Sequence, residues 1–163
     1  MNMKIHRKVF VFAFSAGMVV GAIRGTIRGF MMLLPLLLIE RGLTTPQTGR
    51  YLSILSAVLD ILIPIMLFVA LYRLGKRIDL RSTYVDVSVS LFIGCAPAHF
   101  FGYILGYYIN PVAREVWASE WNSIIVIAAT RGSSQGLYMF FLGFTALALA
   151  YFRSREGPTE GVT

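Results

Sequence analysis

The sequence predicts an all-α, polytopic membrane protein of four transmembrane helices with both termini in the cytoplasm, and three observations lead there. The first is composition: 56% of the 163 residues are apolar and 14% are charged, whereas a soluble domain carries roughly 25% charged residues. With a mean hydropathy of +0.69, that balance argues against a soluble globular enzyme. The second is distribution. The apolar residues gather in four long blocks, each reaching the ~20 residues that cross a hydrocarbon core. The third is the placement of the basic residues behind the formal charge of +7. Such a balance suits either nucleic acid or an anionic lipid surface. Most of these charges flank the apolar blocks, so the lipid bilayer is the expected partner and nucleic acid is not.

The spans fall at residues 9–39, 51–72, 84–109 and 123–152, making one membrane domain over residues 1–152, followed by a short cytoplasmic tail at residues 153–163. Lys and Arg accumulate in cytoplasmic loops. Lys4, Arg7 and Lys8, the second loop (Arg73, Lys76, Arg77, Arg81) and the tail (Arg153, Arg155) place nine basic residues on one side, against Arg41, Arg50 and Arg114 on the other. A cell-membrane location with cytoplasmic termini follows as the expectation. Tyr51, Tyr72, Tyr84, Tyr107, Tyr108 and Tyr151 stand at block ends, where amphipathic rings anchor in the headgroup layer. Pro111 suits a helix start, and Trp117 and Trp121 then share a face at i, i+4. A short separate helix on the outer surface is expected there. A rival reading makes Lys4–Lys8 and Val9–Val20 a secretory leader cleaved after Ala22; it leaves Phe30–Ile39 too short to span, so an uncleaved first helix accounts for more of the chain.

Three arginines, Arg24, Arg28 and Arg131, lie inside the first and fourth blocks, with Asp60 near the middle of the second and His99 near the middle of the third. A charge at bilayer centre costs about 2.5–3.5 kcal/mol on insertion scales, so such groups face a bundle interior or a watery cavity and mark function. The alternative for Arg24 and Arg28 is snorkelling to an interface from an over-long first helix. If all three face inward, Asp60 is the one acid at that depth and positive charge is in excess. A small anion, or a lipid phosphate, would balance it, since Arg captures carboxylate and phosphate in a bidentate fork. A carboxylate from a partner subunit would do the same. Arg24, Arg28, Arg131 and Gln135 are therefore the candidate substrate-binding residues, with Thr130, Ser133 and Ser134 as neutral neighbours. Asp60 and His99 are the candidates for proton coupling, His being the side chain that titrates near neutrality when unperturbed. Cys95 and His99 have i, i+4 spacing but no further ligand nearby, so no metal is expected. One cysteine allows no disulfide within the chain. No nucleophile–base pair, phosphate loop or paired carboxylates appear, so neither an enzyme nor a cofactor is expected.

Small residues recur at every fourth position in the first helix (Ala13, Gly17, Gly21, Gly25, Gly29) and in the third (Ser90, Gly94, Ala98, Gly102, Gly106). Such stripes let membrane helices approach closely, within the chain or between two copies. Sliding the chain by 107 positions lays Ala22, Arg24, Gly25, Gly29 and Met32 over Ala129, Arg131, Gly132, Gly136 and Met139. That relates the first and fourth helices, which cross the membrane in opposite directions, as an inverted repeat would.

Three stretches carry a likeness to a known family. Leu34-Pro35 through Gly42-Leu43 and Pro46-Gln47 to Gly49 resemble the end of helix one and the first outer loop of the major facilitator superfamily, and Leu52 onward its second helix. The second loop, Arg73, Gly75, Lys76 and Arg77, is similar to that family's inner-loop motif, with Phe68 and Tyr72 in place of the motif's first Gly and its Asp. The likeness covers roughly residues 20–82. It implies a transporter whose helices one and four line the substrate cavity, where the arginines of this chain fall. Members have twelve helices and this chain has four, so the resemblance implies a homo-oligomer or a partner membrane subunit. The expected function is a transporter-like membrane protein binding an anion, coupled to protons. The alternatives are a transport-silent relic, an accessory or assembly subunit, and a small anion channel.

Overall fold

A computed structural model of the chain describes residues 3–31, 42, 46–77, 84–110 and 113–155. They form four helices: α1 (Met3–Met31), α2 (Pro46–Arg77), α3 (Tyr84–Ile109) and α4 (Ala113–Arg155). Each contains a segment long and apolar enough to cross a membrane. Residues 32–41 and 43–45, which hold the end of the expected first span and most of the first outer-loop stretch, lie outside the described residues, as do Arg81 and the tail beyond Arg155, whereas Pro46 to Gly49 are the first turn of α2.

The third span coincides with α3, the second and fourth differ at their ends for local reasons, and the expected end of the first span lies outside the described residues. α2 begins at Pro46, whose missing N–H matters little in a first turn. It continues to Arg77, so Arg73, Gly75, Lys76 and Arg77 extend a helix instead of forming a loop. Gly75 is the weak point of that extension, and it is held against Leu147 and Ala150 of α4, where an added Cβ would come within 2.8 Å of the Ala150 side chain. Among the described residues no separate outer helix forms between α3 and the fourth span. Ala113, Glu115, Ala118 and Glu120 favour helix, and no Gly or Pro intervenes before Gly132, so the segment with Trp117 and Trp121 forms the first turns of α4. Its 43 residues extend ~64 Å at 1.5 Å per residue, well beyond a ~30 Å hydrocarbon core.

The two small-residue stripes meet inside one chain. α1 and α3 run parallel, and their glycines interlock. Gly17 faces the Leu91 backbone, Gly21 that of Cys95, Gly25 that of His99 and Gly29 that of Tyr103; in return Gly94 faces Phe14, Gly102 faces Ala22 and Gly106 faces Thr26. α1 thus packs on α3 on both sides of Ala22. From the other side α4 lies antiparallel on α3, with Gly132 against Ala96 and Phe100, and Gly136 against Ala96 and Phe92. The two Arg-Gly segments related by the internal repeat therefore both seat their glycines on α3.

The apolar core gathers toward the end of the bundle where α1 begins and α2 and α4 finish. It joins Val9, Ala13, Leu71, Leu91, Met139 and Leu147 among others. α2 is peripheral, and Ile54, Leu55, Val58, Ile61, Leu62, Ile65 and Met66 are exposed along it. Exposed apolar surface on that scale suits a hydrocarbon surround. Of the expected tyrosine anchors, Tyr51 and Tyr108 are exposed, but Tyr107 is buried. Gly29 draws the Tyr107 turn of α3 onto α1, which encloses that ring within the bundle.

At the far end Asn110 ends α3. It is fully buried, and its Nδ2 donates to the Phe30 carbonyl oxygen at 2.9 Å, tying the C-terminal ends of α1 and α3 together. Asn110→Ala is expected to lower stability by about 1–2 kcal/mol, readable as a lower melting temperature of the purified chain in detergent. An unchanged melt would show that this tie contributes nothing.

Candidate functional site

The ionisable residues of four different helices stand at one level. Gly25 packs on His99, which sets Arg24 of α1 beside the middle of α3, and Gly132 packs between Ala96 and Phe100, which sets Arg131 of α4 at the same height. Asp60 joins them from α2 through the arginines. Arg24 Nε donates to Asp60 Oδ1 at 3.0 Å, and its Nη2 lies 3.0 Å from the same oxygen. Arg28, one turn further along α1, donates from Nε at 3.0 Å and from Nη2 at 2.7 Å to Oδ2. Each carboxylate oxygen thus takes one arginine, the strong charge-assisted arrangement.

Arg24 is only 5% exposed, so its guanidinium stays in the bundle instead of snorkelling to an interface. It also lies over the Tyr138 ring, 5.7 Å from its centroid, a cation–π contact that favours a desolvated cation. Pro64 follows Asp60 by one turn in α2. Lacking an N–H, it cannot donate to the Asp60 carbonyl.

Arg131 is placed differently. It is exposed, its guanidinium lies over the Tyr103 ring at 5.8 Å, and among the described residues no carboxylate pairs with it. It lines a groove of about 400 Å³ with Arg28, Asp60, Ser53 and Ser56. That volume lies in the range of small-ligand sites. In the layer as a whole, three arginines face one aspartate. With Asp60 engaged by Arg24 and Arg28, the groove retains the positive charge of Arg131 and offers two hydroxyls beside it.

No family model, curated protein or solved structure matches the chain. The chemistry of the groove therefore comes from its own side chains.

Not every residue expected at the site is in it. Gln135 is half-buried with its Oε1 unbonded, and it does not line the groove. It lies one turn beyond Arg131 on α4. His99 is fully buried, with no hydrogen bond of good geometry at either ring nitrogen, and its ring centroid is 6.5 Å from that of Tyr103. It stands behind the groove, packed under α1. Cys95 is buried one turn away on α3, and among the described residues no three His, Cys, Asp or Glu side chains gather. The four residues of the inner-loop motif are at the opposite end of α2, where Lys76 Nζ lies 5.0 Å from the Tyr72 ring centroid.

Ser53, Ser56, Tyr103 and Tyr138 join the site without having been expected there. The serines were legible, because Ser53, Ser56 and Asp60 fall at i, i+3 and i+7 on one face of α2. The two tyrosines were not, since only the packing of α4 on α3 brings Tyr103 to Arg131, and that of α4 on α1 brings Tyr138 to Arg24.

Proposed function

We propose that the chain is a transporter-like integral protein of the cell membrane, with cytoplasmic termini, that binds an anion in the groove between α1, α2 and α4. The observation that carries this reading is Arg131, an exposed cation with no carboxylate partner among the described residues, beside Arg28 and two serine hydroxyls. A cation within an apolar span needs a counter-charge, and an incoming anion supplies one. Arg131 is the capturing group and Arg28 a second donor. Arg24 holds Asp60 from behind and touches no ligand. Asp60, shared by two arginines, is the proton-coupling candidate closest to the groove, with His99 behind it. No catalytic step and no cofactor enters this reading.

The resemblance to the major facilitator superfamily supports it in one respect: α1 and α4 carry the arginines, as that family's helices one and four line its cavity. Four helices leave the groove open on one side, so further copies of the chain or a partner membrane subunit complete a transport path. Arg131→Gln is expected to remove anion binding, read by isothermal titration of the detergent-purified chain with inorganic phosphate and with acetate, and to leave helicity and elution volume unchanged. Binding that survives the substitution would remove the basis of the proposal. The open groove also favours an accessory-subunit reading, in which a neighbouring helix bears the missing carboxylate. Co-purification with one larger membrane protein, with no anion binding by the isolated chain, would select it.

A further inference from the structure

We infer that the anion is the phosphate of a membrane lipid whose headgroup is net anionic, entering the groove sideways between α2 and α4; this rests on the anion-binding reading above. Three features of the groove point to an amphipathic ligand.

The groove is flanked by lipid-facing surface. Ser53, Ala57 and Arg131, which line it, are all exposed. Ile54 and Ile61 lie next to Ser53 and Ala57 on the surface of α2, and Leu137 and Phe141 lie beyond Arg131 on α4, all four exposed. A ligand that meets Arg131 here also meets apolar side chains. A hydrophilic ion satisfies half of that environment, and a phosphate ester bearing acyl chains satisfies both halves.

The depth fits as well. Ser53 opens the apolar segment of α2, and a bilayer core matched to that segment starts there, so Asp60, seven residues on, is ~10 Å deeper at 1.5 Å per residue. Polar lining continues over that descent from Ser53 through Ser56 to Arg28 and Arg131. The Ser56 hydroxyl suits an ester or glycerol oxygen, and the guanidinium groups suit the phosphate.

Charge also decides against the most obvious competitor, a second copy of this chain seated groove to groove. Two-fold pairing would set Arg131 against Arg131 and Arg28 against Arg28, with two aspartates among six arginine charges in all, and like charges repel strongly where water is scarce. A phosphate brings the opposite sign.

The test uses the full chain in mild detergent and native mass spectrometry, with dioleoyl-phosphatidylglycerol and dioleoyl-phosphatidylcholine added in equal amounts, and inorganic phosphate titrated separately as the soluble arm. The expected result is retention of phosphatidylglycerol over phosphatidylcholine by about tenfold in affinity, a preference lost in Arg131→Gln and largely kept in Arg131→Lys, with circular dichroism unchanged in both. Equal retention of the two lipids, with phosphate binding that depends on Arg131, would overturn the lipid inference and leave the anion site standing. No Arg131-dependent binding of lipid or phosphate would overturn both.

Discussion

Gly25→Leu should prevent the bundle from forming. A Cβ at Gly25 meets the His99 carbonyl oxygen and comes within 2.9 Å of the Tyr103 backbone nitrogen, and neither atom can rotate away as a side-chain end would. The four glycines of α1 and the three of α3 make one continuous surface, so a single intrusion separates the helices over several turns. Overpacking of this kind destabilises by about 3 kcal/mol or more, comparable with a large share of the stability of many domains. The expected result is loss of the monodisperse elution peak in mild detergent, with the variant appearing in aggregate. The control is Ile23→Leu, two residues away on the exposed side of α1, which should elute as the parent does. A well-folded Gly25→Leu protein would mean that α1 and α3 do not meet through these backbones.

That contact shows what the sequence can and cannot convey. Periodicity alone marks both glycine stripes as contact faces, because only close backbone approach explains small residues at every fourth position through an apolar helix. It leaves open whether the two faces meet within one chain or between copies, since the same stripe serves either. Span existence is legible from hydropathy, and span ends are not. Arg73–Arg77 reads as a charged loop, yet a charged segment without a breaker extends a helix past the bilayer as readily as it ends one. The same holds for the first turns of α4. At the site, the depth of Arg24, Arg28, Asp60 and Arg131 was readable from their positions within apolar blocks. Their division was not: two arginines converge on Asp60 and the third is left in the groove because α1 lies against α2 at that level, a fact of packing. Gln135 and His99 show the converse. Both are polar residues near the middle of a span; His99 is enclosed where Gly25 brings α1 onto α3, and Gln135, half-buried with its Oε1 enclosed, does not line the groove.

Asp60→Asn is expected to be the most damaging single change in the charged layer. The substitution preserves shape and one carbonyl oxygen, but it removes the charge that two guanidinium groups share. Arg24 then remains a cation at 5% exposure, and stripping one partner from a buried pair costs about 3–5 kcal/mol. Because Asp60 itself is about one-quarter exposed, the lower end of that range applies, and Arg28, similarly open, can turn toward the groove. The measurement is a thermal melt in detergent of Asp60→Asn, Arg24→Gln and the double variant. Arg24→Gln in the Asp60→Asn background should recover part of the loss, since the orphaned charge is gone, and the resulting coupling isolates the pair. Additive losses would instead mean that α2 is held by Leu67, Leu71 and Gly75 at its other end, with the ion pair incidental. The comparison with Arg131→Gln gives this test its force. The two substitutions remove one charge each at the same depth of the same bundle. Asp60→Asn should lower stability because its partners are committed to it, whereas Arg131→Gln should leave stability nearly intact and abolish binding, because no carboxylate among the described residues depends on it. If both variants melted alike, the separation between a structural ion pair and a free binding cation would fail, and the proposed site with it.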